Sequence, residues 1–531
     1  MNFPYPSQRM PVMARNVVAT SQPLAAQTGL RMLLKGGNAV DAAIAAAITL
    51  TVVEPTSNGI GSDAFCILWD GQALHGLNAS GRSPKALTPE RFAGFSEVPL
   101  RGWDAVTVPG AVSAWAALSR RFGRLPFEML FEPAIGYARD GFMVSPITAK
   151  AWALAPKIFA GLPEFWQAFL PQGRAPYPGE LFKHPVQART LELIAASQGE
   201  AFYRGELAEA MAAHAKAGGG LLSLDDLASH EPEWCDPLAQ EYHGVVLHEL
   251  PPNSQGLAAL LAIGILAHHP LAELPVDSAD SLHLQLEAMK LALADAYRYI
   301  ADPTSMEITA QALLEPAYLA ARARQIDLRR AQVFDHGTPQ RGGTVYLTAA
   351  DEQGMMVSFI QSNYYGFGSG IVVPGTGISL QNRGAGFVLI PGHPNRVAGG
   401  KRPFHTIIPG FVTEQGRPWL SFGVMGGPMQ PQGHLQMVVR LRDKASPDHY
   451  SQNPQAASDA PRWRVLEGLE VAVEPGFGDT VLNELAARGH RLIKTAPEES
   501  FSFGGAQLIL RTDDGYVGAS DHRKDGQAVG Y

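Results

Sequence analysis

Cysteine, excess positive charge and long apolar segments are all scarce in this sequence. Its only two cysteines, Cys66 and Cys235, lie far apart and outside any CxxC motif, which argues against a disulfide framework or a zinc cluster. We interpret both as buried apolar residues. The formal net charge of -8 provides no basic surface for nucleic acid, so that class of partner is set aside.

The apolar runs are too short for export or for membrane insertion. The segment before Arg15 has no apolar stretch of the ~7–15 residues that a secretory signal needs. The most apolar early run, 42–53, is shorter than the ~20 residues that span a bilayer. We therefore expect a soluble cytoplasmic protein without a membrane partner.

Local patterns predict stacked layers of helix and sheet. The first hundred residues indicate two helices, from Pro23 to Leu34 and from Asn38 to about Val53, followed by a hairpin at 64–78. Further helices are predicted at 281–298, 314–330, 435–443 and 480–487. Short strands dominate after residue 343, at 344–350, 355–362, 371–374, 386–390, 407–412, 418–422, 506–511 and 516–519.

The segment 341–348 has the features of a processing site. Two glycines precede Thr344, which begins an alternating strand after an exposed polar connection, 331–341. We hypothesise that the protein cuts its own Gly343–Thr344 bond and that Thr344 becomes an N-terminal nucleophile. Its α-amine, with an ordinary pKa near ~7.7–8, would then be the general base. The alternative is an ordinary threonine at the start of a strand.

A second candidate element is the pair Gly426 and Gly427. The pair follows a predicted strand and precedes the helix near Leu435, and its exposed N–H groups suit a developing oxyanion; a plain turn is the alternative. The glycine-rich segment 366–370 lacks both GxGxxG spacing and a following helix, so a phosphate loop is rejected. The histidines at 268, 269 and 283 lack acidic partners at ligand spacing, and we predict neither a metal nor a cofactor.

Together these residues resemble the γ-glutamyltranspeptidase family of N-terminal-nucleophile hydrolases. The resemblance covers nearly the whole chain and runs through motifs at 36–43, 108–110, 225–227, 251–256, 295–303, 343–344, 367–371, 401–403, 426–427, 460–462 and 518–521. It implies an α/β (α+β) fold with four αββα layers and self-cleavage into a mostly helical large chain, 1–343, and a small chain, 344–531. It also implies that Gly426 and Gly427 form the oxyanion hole and that Ser362 supports the nucleophile.

The sequence departs from the family where a γ-glutamyl group would bind. Family members hold the α-carboxylate with an arginine where Ser80 stands here, with Arg82 two residues further on. They hold the α-amine with a glutamine and an aspartate, where this chain has Arg383 and Gly386. The family's serine pair and an asparagine are also replaced, by His405, Thr406 and Tyr364.

These replacements predict a substrate with a carboxylate and without an α-amine. An ammonium group needs an acceptor, whereas Arg383, with Arg82, would attract a carboxylate. Tyr364 and His405 would make the pocket smaller. The pattern is closest to the oxamate amidohydrolases of purine (allantoin) catabolism, which implies hydrolysis of oxamate to oxalate and ammonia.

Three alternatives to this activity stay open. A γ-glutamyl hydrolase or transpeptidase would need an amine site that the sequence does not reveal, and an acylase for glutaryl-type amides would share the missing α-amine. A non-enzymatic homologue fits poorly with the retained Thr344 and glycine pair. The oligomeric state is also open, with a homodimer of the two-chain unit as one arrangement.

Overall fold

The computed structural model describes residues 9–334, 343–443, 453–496 and 502–531. The polar connection expected before Thr344 therefore lies largely outside the described residues. The strands are β1 Val12–Ala14, β2 Val17–Thr20, β3 Asp63–Trp69, β4 Leu74–Asn78, β5 Phe142–Met143, β6 Leu181–Phe182, β7 Glu233–Cys235, β8 Leu238–Tyr242, β9 Val245–Glu249, β10 Gly343–Ala350, β11 Met356–Tyr364, β12 Val372–Val373, β13 Ile378–Ser379, β14 Gly410–Glu414, β15 Arg417–Val424, β16 Trp463–Val465, β17 Glu470–Val473, β18 Arg491–Lys494, β19 Ala506–Arg511, β20 Tyr516–Ser520 and β21 Gln527–Gly530.

The helices are concentrated before residue 324. They are α1 Pro23–Leu34, α2 Ala39–Val53, α3 Ala111–Phe122, α4 Glu132–Asp140, α5 Pro146–Trp152, α6 Ala155–Ile158, α7 Pro163–Phe169, α8 Pro185–Ala196, α9 Glu200–Arg204, α10 Glu206–Ala217, α11 Leu224–Ala228, α12 Gly256–Leu266, α13 Ala279–Tyr299, α14 Ala310–Leu313, α15 Pro316–Ala323, α16 Met429–Arg442, α17 Pro454–Asp459 and α18 Asp479–Ala487. Short 3-10 turns cover Pro89–Phe92, Trp103–Ala105, Phe127–Leu130, Leu271–Glu273, Pro303–Ser305 and Arg383–Gly386. No helix in the described ranges is long and apolar enough to cross a bilayer.

Two seven-stranded sheets form the centre of the molecule. The first has the order β21-β2-β10-β11-β3-β4-β7 and the second the order β1-β20-β19-β15-β14-β9-β8. All neighbours in both sheets are antiparallel. Each of these two sheets combines strands from before and after residue 343, so neither half of the chain builds either of them alone.

Alternating side chains on β10 connect two of the three main apolar cores. Val345, Leu347 and Ala349 pack against α1, α2 and the other helices that cover the first sheet. Tyr346 and Ala350 point the other way, into a core between the two sheets. A third core joins the far side of the second sheet to α12, α13 and α16. The order of layers is helix, sheet, sheet, helix, which confirms the predicted αββα class.

The elements near the N-terminus match their sequence signals closely. Helix α1 begins at Pro23, and the side chain of Asn38 accepts the N–H of Asp41 in a capping box that starts α2. Helix α2 is buried along its whole length, as its alanine content indicates. Of the two cysteines, Cys66 is buried and Cys235 is half-buried.

Three element predictions were wrong. The strand expected at 386–390 is replaced by the 3-10 turn Arg383–Gly386 and an irregular segment. The helix expected at 314–330 is shorter, because it begins at Pro316 and ends at Ala323. The helix expected from Leu435 starts six residues earlier, at Met429, with only Pro428 between it and the glycine pair.

Candidate active site

Thr344 lies at an irregularity in the pairing of β10 with β11. The register of the two strands shifts between Gly343 and Val345. Thr344 therefore stands opposite two residues of β11, Ser362 and Asn363. A bulge of this kind redirects side chains and is common beside active sites. Here it brings the Ser362 hydroxyl next to that of Thr344.

The Thr344 hydroxyl is buried between two polar side chains. The residue is 1% exposed. Its Oγ1 donates to Ser362 Oγ at 3.3 Å and accepts from Gln430 Nε2 at 3.4 Å. Ser362 Oγ in turn accepts the N–H of Tyr364 at 2.8 Å. The hydroxyl thus donates a hydrogen bond to one side chain and accepts one from the other.

The glycine pair forms a loop between β15 and α16. Gly426 and Gly427 have φ angles of 122° and 61°, a backbone conformation that favours glycine. Neither N–H group hydrogen-bonds to any described residue, whereas the carbonyl of Gly427 accepts Gln255 Nε2 at 2.9 Å. The loop also sits at the positive end of a 14-residue helix. These features suit an oxyanion hole.

The buried guanidinium group of Arg383 contacts Tyr364 and Thr406. The residue is 1% exposed, its guanidinium carbon lies 4.6 Å from the ring centre of Tyr364, and its Nη1 donates to Thr406 Oγ1 at 2.7 Å. Burial lowers the pKa of Arg383 to about 10, while Asp63 opposes the shift. The group therefore keeps its positive charge at neutral pH.

One edge of this guanidinium has no partner in the part of the chain that the structure describes. Nε and Nη2 of Arg383 are buried and hydrogen-bond to none of the described residues. These two nitrogens form the edge that binds both oxygens of a carboxylate. Because buried donors are costly to leave unpaired, the edge fits an anionic ligand.

Tyr364 and Gly386 shape the surroundings of Arg383. Tyr364 adopts a φ of 77°, which is uncommon for a large side chain, and its ring packs at 4.6 Å against Tyr365. A Cβ atom at Gly386 would lie 2.7 Å from the carbonyl oxygen of Phe404. The backbone at this point must shift before an aspartate can replace Gly386.

Asp63 and His405 form a second buried polar pair beside the site. Asp63 stands opposite Ser362 in the pairing of β3 with β11, and its Oδ2 lies 3.1 Å from His405 Nε2. Burial raises the pKa of Asp63 to about 7 against the opposing effect of Arg383. Burial and the cations Arg383 and Arg402 lower the pKa of His405 well below its usual value. His405 is therefore neutral at physiological pH.

Arg82 and Arg383 bind different partners. The Arg82 side chain is 44% exposed, and its Nη1 donates to Asp302 Oδ2 at 2.8 Å and to the Gly400 carbonyl at 3.2 Å. The hydrogen bonds of the two guanidinium groups share no partner. Arg82 is held in an ion pair with Asp302, and a joint action of Arg82 and Arg383 on a carboxylate stays a prediction.

One histidine cluster differs from its sequence interpretation. His283 does have an acidic neighbour, Glu287, four residues further along α13, and His490 joins them with ligand atoms within 4.8 Å of one another. His283 Nδ1 lies 2.9 Å from His490 Nε2, and Lys290 forms an ion pair with Glu287. The Lys290 ammonium group therefore already compensates the charge of the Glu287 carboxylate.

Sequence reasoning missed three polar residues of the site. Gln430 follows the glycine pair by three residues, and Asp63 ends a Gly-Ser-Asp turn whose pattern indicates only a helix break. Gln255 connects two parts of the site, because its Nε2 donates to the carbonyls of both Thr406 and Gly427. The only sequence signal for Gln430 was a polar residue three positions after the glycine pair, and its partner Thr344 could not be read from that position.

Two antiparallel sheets packed between layers of helices are the architecture of the N-terminal-nucleophile hydrolase fold. Comparisons with known proteins agree with this fold. The solved cephalosporin acylase of Bacillus halodurans is 46% identical, superposes with a TM-score of 0.93 and covers 100% of this chain and 98% of its own.

Sequence comparisons point the same way. The family model for gamma-glutamyltranspeptidase matches residues 25–531. The glutathione hydrolase-like YwrD proenzyme of Bacillus subtilis is 36% identical over 97% of this chain and 98% of its own length. The oxamate amidohydrolase proenzyme of Klebsiella pneumoniae is 36% identical over 96% and 97%. The chain belongs to the γ-glutamyltranspeptidase family, and with it to the hydrolases of amide bonds that are made as self-processing precursors.

Proposed function

We propose that this protein cuts its own chain before Thr344 and then uses Thr344 to hydrolyse a small amide that carries a carboxylate. The large chain would be 1–343 and the small chain 344–531. The buried Thr344 hydroxyl, with Ser362 on one side and the Gly426–Gly427 loop near Gln430 on the other, supports the role of nucleophile. In the cut protein the new α-amine is the general base.

The unpartnered edge of Arg383 carries the proposal on substrate class. It supplies two parallel N–H donors and a positive charge in a buried place, which suits a carboxylate and repels an ammonium group. Asp63, whose pKa is raised to about 7, offsets only part of the positive charge at neutral pH, and the neutral His405 and the hydroxyl of Thr406 add no negative charge. Gly386 cannot be exchanged for an acid without moving the backbone near Phe404.

Oxamate is the substrate that we propose. Thr344 Oγ attacks the amide carbon, its proton passes to the α-amine, and the oxyanion binds the N–H groups of Gly426 and Gly427. Collapse of the intermediate breaks the C–N bond, and ammonia leaves with the proton from the α-ammonium. Water then hydrolyses the ester, again with the amine as base, and releases oxalate.

A side-by-side assay tests the substrate. Purified protein is given oxamate, with ammonia and oxalate measured, and γ-glutamyl-p-nitroanilide, with p-nitroaniline measured. We expect stoichiometric ammonia and oxalate from oxamate and little release of p-nitroaniline. Fast p-nitroaniline release without ammonia from oxamate contradicts the proposal and favours a γ-glutamyl hydrolase.

An acylase for glutaryl-type amides is the second candidate. It is favoured by the 46% identity to the solved cephalosporin acylase over the full chain. A glutaryl group has a carboxylate and no α-amine, so Arg383 fits both candidates. Glutaryl-p-nitroanilide is therefore the third substrate in the assay, and a kcat/KM for it above that for oxamate decides for the acylase.

A further inference from the structure

We infer that Gln430 is a catalytic residue that donates a hydrogen bond to the Thr344 hydroxyl during self-cleavage and during amide hydrolysis. The inference rests on the proposed function, because it takes Thr344 as the nucleophile. Gln430 is the second residue of α16 and is fully buried. Its Nε2 lies 3.4 Å from Thr344 Oγ1.

A second contact fixes the orientation of the Gln430 carboxamide. Its Oε1 accepts the backbone N–H of Ile408 at 2.9 Å. Turning the amide around would set its NH₂ group against that N–H and its oxygen against Thr344. The backbone of Ile408 therefore directs the donor end of Gln430 at the nucleophile.

Two hydrogen bonds then determine how the Thr344 hydroxyl can react. It accepts from Gln430 and donates to Ser362 Oγ, whose oxygen also accepts the N–H of Tyr364. One lone pair of Oγ1 is engaged by Gln430, and the hydroxyl proton points to Ser362. The other lone pair is available to attack a carbonyl carbon.

The donor matters because Oγ1 gains negative charge as it loses its proton. In self-cleavage the new bond joins Oγ1 to the carbonyl carbon of Gly343, and the C–N bond to Thr344 breaks. The proton ends on the released amine, and water then hydrolyses the ester. A preorganised N–H at about 2.7–3.1 Å from a developing oxyanion accelerates such steps by about a hundred- to a thousandfold. Because the Gln430 donor lies further away, at 3.4 Å, we expect a smaller effect of about ten- to a hundredfold.

The variant Gln430→Glu isolates the donor from the structural contact. The glutamate keeps an oxygen for the N–H of Ile408 and replaces only the NH₂ group. Gln436→Met is the matched control, because Gln436 is also buried on α16 and bonds to the carbonyls of Gln432 and Trp463 instead. Both changes remove a buried amide from the same helix.

The measurements are the rate at which purified precursor is cut, followed on denaturing gels, and kcat and KM of the mature protein. For Gln430→Glu we expect both the cutting rate and kcat to fall about ten- to a hundredfold with KM within about twofold. The introduced carboxyl group can donate again once it is protonated, so the ratio of variant to wild-type kcat should rise as the pH falls. A purely structural role predicts no such recovery. For Gln436→Met we expect a lower melting temperature with an unchanged cutting rate.

The possible results separate this inference from the proposed function. If the Thr344→Ala precursor stays uncut and the Gln430→Glu precursor is cut at the wild-type rate, the inference on Gln430 is wrong. The proposed function is then unaffected. A Thr344→Ala precursor that is still cut overturns the proposed function itself. Equal slowing by Gln430→Glu and Gln436→Met also overturns the inference, because it assigns the effect to the packing of α16.

Discussion

At the scale of single residues, Arg383 determines what the site can bind. One nitrogen of its buried guanidinium donates a hydrogen bond to Thr406, and the group packs against the ring of Tyr364. The other two nitrogens have no hydrogen-bond partner among the described residues. A group in this state is costly to maintain unless a ligand completes it. The substrate carboxylate would supply both missing acceptors.

Replacing Arg383 by methionine tests this directly. Loss of two charge-assisted hydrogen bonds should lower kcat/KM for oxamate by roughly a hundredfold or more, mostly through KM. Arg383→Lys keeps the positive charge but loses the two parallel N–H donors. Its kcat/KM should therefore lie between those of the wild type and of Arg383→Met. Arg440→Met, which removes an equally buried arginine that pairs with Asp277, should lower stability and leave KM unchanged. An unchanged KM in Arg383→Met would exclude the carboxylate site.

Asp63 gives the site a pH dependence whose sign can be stated. Its pKa is raised to about 7 in the folded protein, so folding favours the protonated form. The stabilisation is fully present below the unfolded pKa near 3.8 and is lost as the pH rises towards 7. The side chain in the Asp63→Asn variant is neutral at every pH, so this variant should not lose that stabilisation as the pH rises.

The measurement compares unfolding of the two proteins by urea between pH 4 and pH 8. It is made in a Thr344→Ala background, so that each protein stays one chain. The free energy of unfolding of the Asn variant relative to the aspartate parent should rise by roughly 2–4 kcal/mol across this window. His405 is present in both proteins, so its own titration largely cancels. A constant difference would mean that the carboxylate is already charged at low pH.

At the scale of elements, local signals predicted some boundaries well and failed where tertiary contacts decide. The helices from Pro23 and Asn38 were predictable because proline and a capping side chain mark their starts. Helix α16 starts earlier than predicted because Pro431 and Gly433 obscure its first turns in the sequence. Gln430 could not be assigned a role, since its partner Thr344 lies 86 residues away.

Gly433 sets how closely α16 approaches β15. A Cβ atom there would lie 2.5 Å from Val424 Cγ1, just before the Gly426–Gly427 loop. Gly433→Ala should push the helix outward, lower the free energy of unfolding by about 1–3 kcal/mol and slow self-cleavage. Gly136→Ala, in α4 with nothing within 4 Å of the new methyl group, should be neutral or stabilising by about 1 kcal/mol. Thermal unfolding measures the stability of both variants, and denaturing gels measure their rates of self-cleavage. If Gly433→Ala changes neither quantity, the helix tolerates the shift.

At the scale of the whole molecule, the sequence predicted the layers but not how the strands interleave. In the first sheet β2 pairs with β21 on one side and β10 on the other, and in the second sheet β1 pairs with β20. The short strand β21 was not predicted at all. Such pairings depend on contacts across hundreds of residues, which local periodicity does not contain.

The interleaving predicts that self-cleavage leaves the molecule in one piece. Residues 1–343 and 344–531 should co-elute from a sizing column after cutting, and should separate only in denaturant. Cut and uncut protein should also have similar elution volumes. Elution of a free small chain under native conditions would contradict the arrangement of β2 between β21 and β10.

The position of β2 also changes the molecularity of folding. Before the cut, β2 and its two neighbours, β10 and β21, belong to one polypeptide, and refolding from denaturant is a first-order process. After the cut, the same sheet can form only when two separate polypeptides meet, so the refolding rate should depend on protein concentration. After self-cleavage, the mature fold would then persist because it unfolds slowly, and not because it refolds quickly. Protein that has unfolded in dilute solution would rarely refold.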